Sequence, residues 1–266
     1  MRRNRYLKTA DQIALMRRAG LLVWHAHQVA AELVRPGVTT GEIDAAVDRY
    51  ITDHDGIPLF KGVPGPVPFP AATCLSVNEE IVHGIPSTRR LREGDIISID
   101  IGVRLNGWCG DAAVTRPVGQ VDETCRHLLQ VTEETLRLAI KLMKTRQRWS
   151  QVARGMADYV RASGLTTLEE FGGHGVGREM WENPHVPNYV ERGFERSDDF
   201  PLERGLVIAV EPMVNVGTKD FKVLEDGWTV VTEDSLPSAH FEHTIAITAQ
   251  GPFILTAGPN GEGWSL

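Results

Sequence analysis

Four carboxylates and one imidazole occupy positions in this chain where apolar or small residues would be the norm: Asp100, Asp111, Glu211, Glu242 and His174. Asp100 lies within GDIISIDIGVRL and Asp111 within NGWCGDAAVT, two β-branched, apolar runs on either side of Asn106-Gly107. That dipeptide between such runs is a strong signal for a hairpin closed by a two-residue type I′ turn. The turn sets the register: Leu105 faces Trp108, Val103 faces Gly110, Gly102 faces Asp111 and Asp100 faces Ala113. Asp100 and Asp111 are then diagonal neighbours on one face, about 7–8 Å apart at the backbone. Asp is depleted in strands, and an unpaired buried carboxylate is costly. One divalent metal ion, or a pair, would supply the missing positive charge. A solvated hairpin face would also tolerate two carboxylates, so the remaining positions carry weight.

Glu211 ends the apolar run Leu206–Val210 and precedes Pro212, which cannot donate to a ladder. Glu242 lies in HFEHTIAIT, where Glu242, Thr244 and Ala246 alternate with Phe241, His243, Ile245 and Ile247. His174 sits among Gly172, Gly173, Gly175 and Gly177, a spacing that matches neither a Walker A loop nor a dinucleotide fingerprint. Singly, each has an ordinary reading: a surface carboxylate at a strand end, a solvated strand face, a turn histidine. Jointly, an oxygen-rich donor set with one imidazole and no thiolate suits manganese, iron(II), cobalt or zinc in a carboxylate-bridged pair. Four carboxylates balance two divalent ions and leave room for a bridging hydroxide.

The surrounding pattern is what positions these groups. Thr9 and Gln12 form a capping box for a helix to about Val34, and Thr39 and Glu42 frame a second one that ends before Asp55-Gly56. A Pro/Gly-rich loop spans Pro58 to Pro70, a strand is predicted over Cys74–Val82, and the hairpin follows. Asp122 opens a helix to about Lys144, and Ser150 opens another that Gly164 closes. A loop is predicted around Pro184 and Pro187, and strands over Leu206–Val210, Trp228–Thr232 and His240–Thr248. Helices then strands, twice over, predict an α/β (α+β) single domain of two similar halves, about 1–119 and 120–266. A chain of 266 residues that is 42% hydrophobic can bury such a core, and a net charge of −7 argues against nucleic acid as the main ligand. There is no apolar run of membrane-spanning length and no signal-peptide pattern, and three cysteines without CxxC spacing suit a reducing compartment. The cytoplasm is the expected location.

The ordered runs NEEIVHGIP, GDIISIDIG, WCGD, GHGVGREM, VIAVEPMVN and DGWTV…AHFEHTIAIT resemble the signatures of bacterial type I methionine aminopeptidases, from about Thr9 to Thr256. The resemblance implies the pita-bread fold, with pseudo-two-fold antiparallel sheets and flanking helices, and removal of initiator methionine from nascent chains and peptides with a small second residue. It implies two divalent ions (cobalt, manganese, iron(II) or zinc): Asp111 and Glu242 bridge them, Asp100 holds one, and His174 with Glu211 holds the other. About thirty residues separate Glu211 from Glu242, too few for the helical insertion of type II enzymes. By the same resemblance Glu211 is the general base and then acid, His83 contacts the scissile amide, and Cys74 and Trp228 line the methionine pocket. A monomer acting on peptide N-termini is expected.

At one position the pattern is broken. The family carries a second histidine seven residues after the metal-binding one, and here Trp181 stands in its place. Indole offers one N–H donor and exchanges no proton in the useful pH range. Weak activity or a shifted substrate preference is the expectation, with His185 the nearby imidazole that a rearrangement would have to recruit. An Xaa-Pro peptidase of the same fold and a non-catalytic peptide-binding relative are the competing readings.

Overall fold

The computed structural model describes residues 6–190, 193–194 and 198–263. Two helices lead, α1 (Ala10–Leu33) and α2 (Thr40–Asp53), each closed by the capping box expected from Thr9/Gln12 and Thr39/Glu42. Strands β1 (Ile57–Pro58), β2 (Cys74–Val77) and β3 (Glu80–Val82) precede the hairpin of β4 (Ile96–Leu105) and β5 (Trp108–Pro117). Helices α3 (Glu123–Met143) and α4 (Trp149–Ala162) follow. Next come β6 (Thr166–Thr167), β7 (Gly172–Gly175), β8 (Glu182–Pro187), β9 (Val207–Val210) and β10 (Met213–Asn215). The last strands are β11 (Phe221–Val223), β12 (Val230–Thr232), β13 (Ser238–His240), β14 (His243–Thr248) and β15 (Gly251–Ile254).

The hairpin register is the predicted one throughout, including Gly102 opposite Asp111 and Asp100 opposite Ala113. Asn106 and Gly107 turn the chain at φ 52° and 75°, the left-handed values that a type I′ turn needs. β4 pairs β1 and β2 as well as β5, and a second sheet runs β15-β14-β9-β7-β8. All pairings are antiparallel. Helices α1 and α2 cover the first sheet through Val23, Ile43, Val47 and Ile51, which share one buried cluster with Ile99 and Ile101 and, from the second half, Leu128, Ile208 and Ile245.

Three sequence expectations change. Cys74–Val82 is two strands, because Asn78 turns left-handed (φ 58°) and its side chain accepts the Ile96 N–H and donates to Asp95. Residues 182–187 form β8 rather than a loop, with its partner β7 pressed between β8 and β9. The glycines make that sandwich feasible: a Cβ on Gly173 would sit 2.1 Å from the Ala209 carbonyl oxygen, and one on Gly175 2.2 Å from that of Asn183. Finally, His240–Thr248 breaks at Phe241-Glu242, and both of its faces are buried, so its polar alternation does not mark a solvent side. Thr244 and Glu242 instead face the hairpin.

His27, on α1, is fully buried and its Nε2–H donates to the Ala112 carbonyl of β5 at 2.9 Å. Burial holds its pKa down to about 3, so the folded protein keeps it neutral. The unfolded chain binds the extra proton below about pH 6.5, so stability is fully present above that pH and falls with acidification toward 3. Between pH 7 and 5 this group alone removes about 2 kcal/mol. His27→Gln is expected to flatten that part of the acid limb in urea titrations at the two pH values.

Candidate metal centre and active site

One row of hydrogen bonds joins the hairpin to the second half of the chain. Along β5, Asp111 exchanges two bonds with the Thr244 hydroxyl (3.0 and 2.7 Å), Ala113 accepts the Glu242 N–H (2.8 Å), and the Thr115 hydroxyl bonds both the N–H and the carbonyl of His240 (2.8 and 2.9 Å). This row brings Glu242 and His240 to the edge that carries Asp111, across more than a hundred residues of sequence. β9 adds Glu211 at its end, whose carbonyl accepts from Asn188 at 2.9 Å.

All five sequence-predicted ligands, Asp100, Asp111, His174, Glu211 and Glu242, line one cavity of 310 Å³. His174 Nε2 lies 3.6 Å from Asp111 Oδ2 and 3.7 Å from Glu211 Oε1. The donors Asp111, His174 and Glu242 fall within 4.8 Å of one another, as do Glu211, His240 and Glu242. His174 Nδ1 faces the Gly175 carbonyl at 3.0 Å, so it must be the N–H donor, leaving Nε2 for the carboxylates or a metal.

The electrostatics fit a cation. Burial pushes all four carboxyls above their ordinary range, Asp100 and Glu242 well above it and Glu211 to about 7. Burial pulls His174 down, but the carboxylates of Asp111, 3.6 Å away, and Glu211, 3.7 Å away, outweigh it and raise its pKa to about 9. Asp100 Oδ1, Asp111 Oδ1 and His240 Nε2 are buried without a hydrogen-bond partner among the described residues. A bound divalent ion reverses this unfavourable crowding of like charges. A wider cavity of 530 Å³ between α4 and Val190 carries Arg154, Arg161, Asp158 and Glu169, but no group of metal-ligating donors of this kind among the described residues.

His83 lines the same cavity in the left-handed conformation (φ 59°), with its ring edge-on to Phe171 and Trp228 at 5.9 and 6.4 Å. Such a backbone costs of order 1–3 kcal/mol and persists where the surroundings impose it. Burial holds its pKa to about 4, so it is a neutral imidazole with one donor and one acceptor. Cys74 and Trp228 stand behind the wall rather than on it. Cys74 pairs with Asp100 across β2 and β4 and packs in an apolar cluster with Phe60, Phe69 and Met180, against which Trp228 leans. The Trp228 indole N–H donates to the Val67 carbonyl at 2.7 Å, tying it to the 58–70 loop. Phe60 and Met180 are the members of that cluster that reach the cavity, and sequence reasoning named neither.

Trp181 lines the cavity and remains 53% exposed, its ring 6.3 Å from that of His174. His185 needs no rearrangement to reach the wall. It is the cross-strand partner of His174, so both project to the same side, and His185 lines the cavity. The sequence missed this because it read β8 as a loop. It also missed His240, although that residue stands two before Glu242 in AHFEHT.

Residues 14–249 match the metallopeptidase family M24. The methionine aminopeptidase 1 of Bacillus subtilis is 44% identical over 251 residues, covering 94% of this chain and 98% of that protein. The crystal structure of methionine aminopeptidase from Thermotoga maritima superposes with a TM-score of 0.88 at 41% identity, covering 94% of this chain and 98% of that one. An Xaa-Pro dipeptidase from Bacillus anthracis shares the fold at TM-score 0.73 and 20% identity, with 63% of its chain covered.

Proposed function

Because this chain belongs to metallopeptidase family M24, we propose that it is a methionine aminopeptidase of pita-bread fold, releasing N-terminal methionine from peptides and nascent proteins. The observation that carries this is the meeting of Asp100, Asp111, His174, Glu211 and Glu242 in one buried cavity beside an apolar cluster. We read the five as the residues that would hold two divalent ions, Asp111 and Glu242 contributing to both. Divalent ions held there would supply a water of lowered pKa and a Lewis acid for the scissile carbonyl.

The chain's own residues account for the rest. The substrate's thioether enters against Phe60 and Met180, with Cys74 and Phe69 behind them, a soft and aromatic lining that suits sulfur. His83, on the wall of the same cavity, donates to the scissile amide. Glu211 accepts a proton from water as the C–O bond forms, then delivers it to the leaving nitrogen as the C–N bond breaks, so the second residue departs as a free amine. The same reading takes the chain as one catalytic domain of two related halves, about 1–119 and 120–266. Asp100, Asp111 and His83 come from the first half, and the remaining ligands from the second.

All five ligands come from a single chain, which supports action as a monomer. Three free, buried cysteines suit the cytoplasm. No helix among the described residues is long and apolar enough to cross a membrane.

A panel of tripeptides varied at the first and second residues, incubated with protein loaded in turn with manganese, cobalt, iron(II) or zinc, tests the proposal. Free methionine is expected from Met-Ala and Met-Gly peptides and little product from a bulky second residue. Cleavage of Xaa-Pro dipeptides in preference to these would overturn it.

A further inference from the structure

We propose that His240 is a sixth protein ligand of the metal centre, binding through Nε2 to the ion that Glu211 holds. The inference rests on reading the five other residues as a metal cage and adds a second imidazole to it. His240 is 2% exposed, lines the cavity, and presents an Nε2 with no hydrogen-bond partner among the described residues. That atom lies 3.7 Å from Glu211 Oε2 and 4.0 Å from Glu242 Oε2. Both separations are too long for hydrogen bonds. They suit donors that share an ion, since two ligands about 2.1 Å from a tetrahedral metal stand about 3.4 Å apart.

The direction of the side chain is fixed from the backbone. The Thr115 hydroxyl binds both main-chain groups of His240, and β13 pairs it with Met213 of β10. Glu211 is thereby set between two imidazoles, with Oε1 3.7 Å from His174 Nε2 and Oε2 3.7 Å from His240 Nε2. A five-residue set with one nitrogen favours hard ions such as manganese, and a second imidazole shifts preference toward cobalt, iron(II) and zinc.

The test is a titration of metal-free protein with Co(II) and, separately, Mn(II), following uptake by equilibrium dialysis and the visible Co(II) spectrum, in wild type and in His240→Gln. The expected result is two Co(II) bound by wild type and, in the variant, at least a tenfold weaker Co(II) site with an altered visible band. Mn(II) affinity should change less. Identical Co(II) affinities and spectra in the two proteins would overturn the role of His240 while leaving the cage intact. A wild type that takes up no Co(II) would instead remove the cage itself. Should the variant fail to fold, wild type labelled with ¹⁵N-histidine and loaded with one equivalent of Mn(II) gives the answer by electron–nuclear double resonance. Two coordinated imidazoles support the inference, and one overturns it.

Discussion

Asp111→Asn is expected to abolish peptide hydrolysis, with kcat/KM falling by more than about 10³-fold, beyond the loss of a single transition-state donor. The substitution keeps the shape of the side chain and leaves untouched the two backbone bonds with Thr244 that hold this part of β5. What it removes is the negative charge facing His174 at 3.6 Å and, in the proposed cage, one of the two carboxylates shared by the ions. Thermal unfolding separates this from damage to the fold. Burial raises the Asp111 pKa, so in metal-free protein its ionised form opposes folding, and that penalty grows as pH rises above the ordinary carboxylate range. Metal-free Asp111→Asn should therefore be no less stable at neutral pH than metal-free wild type. Chelation should lower the unfolding temperature of wild type, since ligand bound only to the native state stabilises it, and should leave the variant unmoved. A variant that unfolds early with or without chelator would show that Asp111 serves the fold instead.

Trp181→His is expected to act in the opposite direction, raising kcat/KM on Met-Ala peptides by about 10²-fold, the usual worth of one well-placed transition-state donor. The indole stands at the cavity mouth beside His174 and is half in solvent, so replacing it disturbs little packing. An imidazole there could donate to the substrate carbonyl and would take less room at the entrance. The cross-strand placement of His185 supplies an internal control. His185→Ala in the wild-type background should lower activity if that ring already contributes, and should matter less once a histidine occupies position 181. A Trp181→His protein no faster than its parent would count against the role assigned to that position.

The hairpin was legible because its information is local. Asn106-Gly107 fixes the turn, the turn fixes the register, and the register places Asp100 beside Asp111. The capping boxes of α1 and α2 were legible for the same reason. What the sequence could not convey is burial imposed by distant partners. Thr244 and Glu242 read as a polar strand face, yet they are buried because β5 lies against them through the bonds of Asp111 and Ala113. β8 was hidden by Pro184 and Pro187, and with it went the reach of His185. Nothing local to His240 reveals its direction, which is set by Thr115 and Met213, both distant in sequence, so that its Nε2 comes to 3.7 Å from Glu211. The resemblance to methionine aminopeptidases bridged most of that distance, since its motifs named the five residues that the structure then gathers around one cavity.

The most direct test is a crystal of the protein soaked in Mn(II) and measured at the manganese edge. Two anomalous peaks about 3.5–4 Å apart, enclosed by Asp100, Asp111, His174, Glu211 and Glu242, are the predicted result. A single peak, or peaks elsewhere with this cavity empty, would contradict the paired-ion cage on which the functional account stands.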